Sequence, residues 1–143
     1  MTALGRASAA DPRVLVKREA LASEAAVPPA FLDDILRALR AGALVTSQRG
    51  SSGGWRLAKA SQDITVADII RALEGPLASV RGIRPHDLPR AAVHDDAMIE
   101  LWIATRESLR SVLEHVSVAD LVSGKLPKDV AEIARRPGAW DVH

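Results

Sequence analysis

The chain contains no cysteine and no tyrosine, and its 143 residues include one phenylalanine, two methionines and three tryptophans. Without cysteine it can form neither a disulfide, nor a thiolate nucleophile, nor a thiolate-ligated metal site. Aromatic residues make up 3% of the sequence although hydrophobic residues make up 48%, so the core must consist mainly of Ala, Leu, Val and Ile. This composition favours helices over a β-sandwich or a barrel.

Long apolar runs are also lacking. No stretch is long enough to span a membrane, and the first residues do not contain the apolar segment of a secretory signal. We therefore expect a cytoplasmic protein without a membrane partner. The length suits one modest domain, or a small domain with an appended arm.

Acidic residues are absent between Ile35 and Gln62, whereas this stretch contains five basic ones: Arg37, Arg40, Arg49, Arg56 and Lys59. Over the whole chain, residues 1–60 carry nine Lys/Arg and five Asp/Glu, a net charge of +4, and residues 61–143 carry ten and thirteen, a net charge of −3. This asymmetry indicates that the basic first half of the chain binds a polyanion and that the acidic second half has a different role.

Two helices are expected in the first half of the chain, after weakly patterned residues 1–12 that form either a frayed arm or the remnant of a helix. The first runs over 17–25, and the second begins at Pro29 and ends near Gly42, a suitable C′ residue. The second helix has the i, i+3, i+4, i+7 spacing of a core-facing stripe, at Leu32, Ile35, Leu36 and Leu39.

A β-hairpin is expected directly after the second helix. Two short strands, Leu44–Gln48 and Trp55–Ala58, enclose the segment 49–54, whose glycines allow a tight turn and a close approach to a partner. Helix, turn, helix and basic hairpin together predict a winged helix-turn-helix, in which the second helix enters the major groove and the wing contacts phosphates or the minor groove. DNA binding is therefore the leading hypothesis.

The second half is predicted to be helical and to self-associate. Thr65 and Asp68 resemble a capping box that starts a helix ending at Gly75. The longest helical pattern runs from Asp95 to about Val116, and its apolar seam consists of Met98, Trp102, Thr105, Leu109, Val112 and Val116. A helix that is apolar over so much of its girth needs both its own domain and a second subunit, which predicts a homodimer. A further turn is expected at Val118–Ser123, and no internal repeat is apparent.

The fold class expected from these elements is mostly α, a winged helix-turn-helix domain with a two-stranded wing and a long C-terminal dimerisation helix. We divide the chain into a DNA-binding domain (1–76), a linker (77–94), a dimerisation segment (95–123) and a tail (124–143).

Four stretches resemble the winged-helix repressor family that includes the iron–sulfur cluster regulator, the nitric-oxide-sensing repressor and the cysteine-metabolism repressor of bacteria. They are Val27–Leu36, Leu39–Val45, Arg49–Leu57 and Ile64–Leu77, within a match over roughly residues 17–122. The resemblance implies a bacterial transcription regulator. The residues we assign to DNA binding are Lys17, Arg18, Pro28, Ala30, Phe31, Asp33, Arg37, Arg49, Gly50, Ser51, Gly53 and Arg56.

Two departures from the family matter. Its members usually begin with a longer helix that packs on the dimerisation helix, and the sequence leaves open whether the short start here is native, misassigned or truncated. Many relatives also carry three cysteines in the linker, where this chain has none, so the sensory cluster is not carried over. His86 and His94 lie in that region with neighbouring aspartates, but these aspartates are explained more simply as helix-start charges. We expect no metal and no cofactor.

Each assigned residue also has a plain structural interpretation. Arg49 either enters a narrow minor groove or is a solvated hairpin arginine. Phe31 either contacts a thymine methyl or lies at the rim of the core, and Asp33 either accepts from cytosine N4 or is a charge favoured at a helix start. Lys17 and Arg18 either contact phosphates or are solvated.

An enzyme is not expected, because Ser51 and Ser52 have the context of neither a nucleophile elbow nor a phosphate loop. The sequence thus favours a homodimeric DNA-binding transcription regulator, a repressor that binds a pseudo-palindromic operator and responds to an unknown small-molecule or protein effector. The alternative is a protein-interaction module that has kept the winged-helix core but binds DNA weakly or without specificity.

Overall fold

A computed structural model of the chain describes residues 1–79, 87 and 96–141. The helices are α1 (Thr2–Ala10), α2 (Arg18–Ala25), α3 (Pro29–Ala41), α4 (Val66–Glu74), α5 (Asp96–Leu113), α6 (Val118–Ser123) and α7 (Lys128–Ala134), and the strands are β1 (Val45–Gln48) and β2 (Gly54–Leu57). A short 3-10 helix, Ser61–Asp63, follows the wing. The expected fold class, mostly α with a two-stranded wing, is confirmed. The division of the chain into four functional segments stays a prediction.

The core lies where α1, α2, α3, the wing and α6 meet. Helix α3 contributes Leu32, Leu36 and Leu39, which are nearly inaccessible to solvent, while Ile35 is only half-buried. The predicted stripe of α3 is therefore confirmed. Ile64, just before α4, and Val118, the first residue of α6, are completely buried.

Helices α2 and α3 each end in the same hydrogen-bonded motif, with an alanine in the left-handed conformation. Ala43 has φ 54°, its N–H donates to the Arg40 carbonyl at 3.0 Å, and the Leu44 N–H donates to the Leu39 carbonyl at 2.9 Å. These are the two bonds of a Schellman motif whose C′ residue is Ala43. The expectation that Gly42 fills that position is wrong, because Gly42 has φ −76°.

Gly42 has a packing role instead. A Cβ atom at this position would lie 2.9 Å from the Cβ atom of Ala72 in α4, closer than two carbon atoms pack. The absence of a side chain therefore lets α4 pack tightly against the end of α3.

The wing has a third strand-like segment that the sequence pattern did not predict. β1 and β2 are antiparallel, with Val45 opposite Leu57 and Gln48 opposite Gly54. The Val16 N–H donates to the Trp55 carbonyl at 2.8 Å, and the Trp55 N–H donates to the Val16 carbonyl at 2.9 Å. The residues immediately before α2 thus attach the base of the wing to the helix-turn-helix.

The N-terminal residues form a helix rather than a frayed arm. Leu4 is 3% exposed and belongs to the core. Helix α1 packs on α6, where a Cβ atom at Gly5 would lie 2.7 Å from Val118 Cγ1 and 2.8 Å from Val122 Cγ2. Of the two expectations, the helix is therefore the one that the structure shows, and α6 is a main packing partner of α1.

A short repeat, missed in the sequence, organises the middle of the chain. Segments 64–70 (ITVADII) and 116–122 (VSVADLV) have similar sequences, and an isolated antiparallel bridge pairs Thr65 with Ser117. Both residues cap their helices through capping boxes, Thr65 with Asp68 as predicted and Ser117 with Asp120. The bridge therefore brings the starts of α4 and α6 together, and each capping box begins its own helix.

The long helix α5 ends earlier than predicted. It contains no buried residue, whereas Val116, beyond its end, is 5% exposed and lies in the chain's own interior. The expected tail also contains a helix, α7, which buries Val130 and is followed by Trp140, whose Nε1–H donates to the Ala134 carbonyl at 2.8 Å. Within 1–79, 87 and 96–141, no helix combines the length and hydropathy needed to cross a membrane.

Candidate nucleic-acid interface

An open groove with basic walls lies between the start of α2, the end of α3 and the wing. Its charged lining residues are Lys17, Arg18, Glu19, Arg40 and Arg49, and the wing residues Gly50 and Gly53 also line it. Since cations outnumber the acid here, the groove attracts a polyanion. The structure thus brings five of the predicted site residues to one place: Lys17, Arg18, Arg49, Gly50 and Gly53.

The tip of the wing is shaped by its glycines. Gly50 has φ 109°, a conformation that residues with a side chain rarely adopt, and its carbonyl accepts from the Gly53 N–H at 2.9 Å. A Cβ atom at Gly53 would overlap the Gln48 carbonyl oxygen. Arg49 enters this turn with an exposed side chain, so the tight turn presents a cation at the end of the hairpin.

Lys17 links the helix-turn-helix to this tip, because its Nζ donates to the Ser51 carbonyl. The predicted residue Ser51 is therefore engaged through its backbone. Arg56 lies elsewhere: its Nε donates to Thr46 Oγ1 at 3.4 Å, and both side chains line a second groove beside the end of α1. The structure does not bring Arg56 into the groove that Lys17 and Arg49 share.

Helix α3 presents exposed side chains in its first two turns. Pro28 is the N-cap residue, and Ala30 is exposed. Phe31 is 58% exposed, so its placement at the rim of the core is wrong. An aromatic side chain on this surface of a helix is available for apolar contact with a partner.

The two aspartates of α3 are paired with arginines. Asp33 Oδ2 accepts from Arg18 Nη1 at 2.9 Å, and Asp34 Oδ1 accepts from Arg37 Nη1 at 2.6 Å. The carboxylate of Asp33, followed by the hydrogen bonds to Asp33 and Glu19, raises the pKa of Arg18 above its usual value. Lys17 and Arg18 are both exposed, and each also has a hydrogen-bond partner within the chain.

The predicted dimer seam lies on an exposed face of α5. Met98 is 45% exposed, Trp102 36% and Leu109 40%. Thr105 is also exposed, with its hydroxyl donating to the Leu101 carbonyl at 2.9 Å, and Val112 is half-buried. Among the seam residues Val116 differs, because it is buried within its own chain. Leu101 and Ile103, 59% and 46% exposed, extend the apolar face beyond the predicted seam.

A cluster of three charged side chains connects α5 to α4, and the sequence analysis did not predict it. Glu114 accepts from Arg71 of α4 and, at 3.0 Å, from Arg110 Nε of α5. The hydrogen bonds from Arg110 and Arg71 lower the pKa of Glu114 to about 2. Only the i, i+4 spacing of Arg110 and Glu114 was visible in the sequence, whereas Arg71 is distant along the chain.

The chain is similar in sequence to a family of known proteins, from α1 to the end of α6. The family model described as "Rrf2: Iron-dependent Transcriptional regulator" matches residues 1–124. The chain belongs to the Rrf2 family. The resemblance noted in the sequence is thereby confirmed, and helix α7 lies beyond the matched residues.

Relatives within the Rrf2 family include helix-turn-helix regulators. A Mycobacterium tuberculosis protein assigned as an HTH-type transcriptional regulator, Rv1287, is 46% identical over 120 residues, which cover 84% of this chain and 74% of that protein. CymR of Bacillus subtilis, an HTH-type transcriptional regulator, is 36% identical over 93 residues, 65% of this chain and 62% of CymR.

Solved structures show the same fold. The structure of CymR, the global cysteine regulator of B. subtilis, has a TM-score of 0.67 at 28% identity and covers 87% of this chain and 90% of that one. The structure of T. potens IscR has a TM-score of 0.64 at 27% identity, covering 94% and 82%. The chain is therefore a winged-helix member of a family of transcriptional regulators.

The family description raises the question of iron. Iron–sulfur clusters need thiolate ligands, with at most partial replacement by histidine, and this Rrf2 chain contains no cysteine. The donor set therefore does not fit such a cluster. His86, His94 and Asp95 lie outside the described residues. Among the residues that the structure describes, no group of three or more His, Asp or Glu is placed to hold a metal ion.

Proposed function

We propose that this Rrf2-family chain is a homodimeric DNA-binding regulator that represses transcription from a pseudo-palindromic operator without an iron–sulfur cluster. The observation that carries the proposal is the basic groove bounded by α2, α3 and the wing. Lys17, Arg40 and Arg49 line it, and family membership supports the same function.

In this proposal the exposed first turns of α3 enter the major groove and the wing follows the adjacent backbone. Ala30 and Phe31 lie against base edges. Lys17 and Arg40 in the groove neutralise phosphates, and Arg49 at the wing tip reaches the minor groove. Two further groups of predicted residues act on the structure of the site: Pro28 begins α3, and Gly50, Ser51 and Gly53 shape the wing. Arg37 and Arg56 add positive charge outside the groove.

The dimeric part of the proposal is supported by the exposed apolar face of α5. Met98, Trp102 and Leu109 are large side chains that a single chain leaves partly in water, and burying them against the same helix of a second copy removes that cost. A twofold axis through α5 places two α3 helices on one duplex, which explains a pseudo-palindromic site. Any effector would be a small molecule or a partner protein.

Selection from a random duplex library tests the proposed function. The full chain should enrich one motif with two related half-sites, and its affinity for that motif should fall steeply with salt. Each phosphate neutralised contributes about −0.9 to the slope of log K against log salt, so six contacted by a dimer give roughly −5. No enriched motif, together with a flat salt dependence, would instead favour a protein-interaction module.

A further inference from the structure

Consecutive basic residues at the start of α2 are held in different directions. Lys17 donates to the Ser51 carbonyl at the wing tip, whereas Arg18 Nη1 donates to Asp33 Oδ2 at 2.9 Å on α3. The Arg18 Nε also donates to Glu19 Oε1, at 3.3 Å. The hydrogen bonds of the Arg18 guanidinium therefore run to carboxylates of α2 and α3, whereas Lys17 is bonded to the wing.

The Arg18–Asp33 pair differs from its neighbour on the same helix. Asp34 pairs with Arg37 one turn further along α3, with side chains 70% and 68% exposed. Arg18 and Asp33 join two helices and are less exposed, at 43% and 40%. Contacts with two carboxylates restrict the orientation of the Arg18 guanidinium, while a substantial part of the side chain still faces solvent.

We propose that Arg18 recognises a guanine in the major groove and that Asp33 is the residue that positions it. The inference rests on the proposed DNA-binding function. The contacts to Asp33 and Glu19 use Nη1 and Nε, so neither carboxylate engages Nη2. A guanidinium edge that contains Nη2 donates to the N7 and O6 acceptors that only guanine presents together in the major groove.

The chemistry favours a base contact over a phosphate contact. A phosphate is recognised by charge as well as by shape, and the negative carboxylate of Asp33 beside Arg18 would repel it. A guanine edge is neutral and is recognised by the direction of the donors, which Asp33 fixes before binding and so reduces the side-chain entropy lost. Asp33 thus acts through Arg18, in contrast to the direct contact with cytosine expected from the sequence.

The test uses the full chain and the motif selected by the wild-type protein. Each guanine of that motif is replaced in turn by 7-deazaguanine, which lacks the N7 acceptor, and binding is titrated at fixed salt. One guanine per half-site should be required by the wild-type protein, with roughly a tenfold or greater loss on replacement, the range for a bidentate contact. In Arg18→Ala the same replacement should have no further effect.

Three more variants separate positioning from charge. Arg18→Lys keeps the charge but not the planar fork, so it should lose the guanine preference with an unchanged salt slope. Asp33→Asn should weaken that preference, and combining it with Arg18→Ala should add little, because the two act as one unit. The matched control Asp34→Asn, which releases Arg37 instead, should keep the preference. Thermal unfolding of each variant confirms that it is folded.

Several results would overturn the inference. If Arg18→Ala weakens all sequences equally and lowers the salt slope by about 1, Arg18 contacts phosphate. If Asp33→Asn leaves the guanine preference intact, Asp33 does not position Arg18. Failure of the wild-type chain to enrich any motif would overturn the proposed function itself, whereas an enriched motif that Arg18→Ala recovers unchanged would overturn only this assignment.

Discussion

Individual cations on the recognition side differ in what holds them. Lys17 is bound to a wing carbonyl and Arg18 to a carboxylate, whereas the ion pairs of the described ranges do not include Arg49. A cation without an ion-pair partner in its own chain breaks no ion pair when it binds a phosphate or enters a narrow groove. Arg49 is therefore the side chain whose removal tests the wing most directly.

Arg49→Ala should weaken binding to the selected motif by about 1–3 kcal/mol, the range for a good base or groove contact. The wing itself should be unchanged, because the glycine turn does not depend on the side chain. A gel-shift titration at matched salt measures the effect. The control is Arg136→Ala, which removes the same charge from an exposed residue after α7. Equal affinities of wild type and Arg49→Ala would contradict the assignment.

Glu114 provides a test at acid pH. Its pKa in the folded chain, about 2, lies below the usual 4.5 because Arg110 and Arg71 donate to it. A lowered pKa means that the ionised form stabilises the fold, so the contribution is present above about pH 4.5 and is lost as the pH falls toward 2. Wild type should be more stable than Glu114→Gln at pH 7, and the difference should shrink below pH 4.

Urea unfolding at pH 7 and at pH 3 measures this difference in the free energy of unfolding. Glu100→Gln, at an exposed position of α5, is the control and should change neither value. A difference between wild type and Glu114→Gln that is constant over this pH range would show that the carboxylate charge does not stabilise the fold.

At the scale of the elements, the close packing of α1 on α6 depends on the absence of a side chain at Gly5. Gly5 faces Val118 and Val122 of α6, and the added Cβ atom would lie 2.7 and 2.8 Å from their methyl carbons. Alanine is the better helix former by about 1 kcal/mol, so propensity alone would predict a gain for Gly5→Ala. Because both valines are held by packing, relief of the overlap requires α1 to move away.

Gly5→Ala should therefore lower the free energy of unfolding by up to about 2 kcal/mol, because overpacking costs about 1–3 kcal/mol and helix propensity offsets about 1 kcal/mol of it. Thermal or urea unfolding measures the change. Ala9→Ser, at an exposed position of α1, should have little effect. A stabilised Gly5→Ala variant would show that α1 does not pack on α6 as closely as the structure indicates.

For the whole molecule, the apolar face of α5 would decide the proposed dimeric assembly. No residue of α5 is buried, and among the residues that the structure describes an ionic link runs from Arg110 through Glu114 to Arg71 of α4. In the proposed dimer a second copy covers the exposed apolar residues of this helix. The relative position of the two α3 helices on DNA would then follow from the contact between α5 helices.

Leu109→Glu should convert the dimer to a monomer, because it places a charge in the centre of the apolar face. Operator affinity should fall with it, since the two half-sites no longer reinforce each other. Light scattering measures the mass, and the same samples are titrated with DNA. Ser111→Glu, on the opposite side of the helix from Leu109, should remain dimeric. A dimeric Leu109→Glu variant would place the interface elsewhere.

Local features of the sequence were sufficient to predict much of this protein. The apolar stripe of α3 at Leu32, Leu36 and Leu39, the Thr65 capping box and the glycine-rich wing depend on residues close together in the chain. Periodicity and capping act over one or two helical turns, so they are visible before folding. The order of these elements then predicted the winged-helix family.

The tertiary structure alone decided which distant groups meet. Arg18 pairs with Asp33, Val16 with Trp55 and Glu114 with Arg71, and no spacing rule relates such positions because each contact depends on how whole elements pack. The left-handed conformation of Ala43 was hidden for a similar reason, since alanine has no intrinsic preference for it. Sequence by itself therefore determined the elements and their order, while packing determined which cations remain available to DNA.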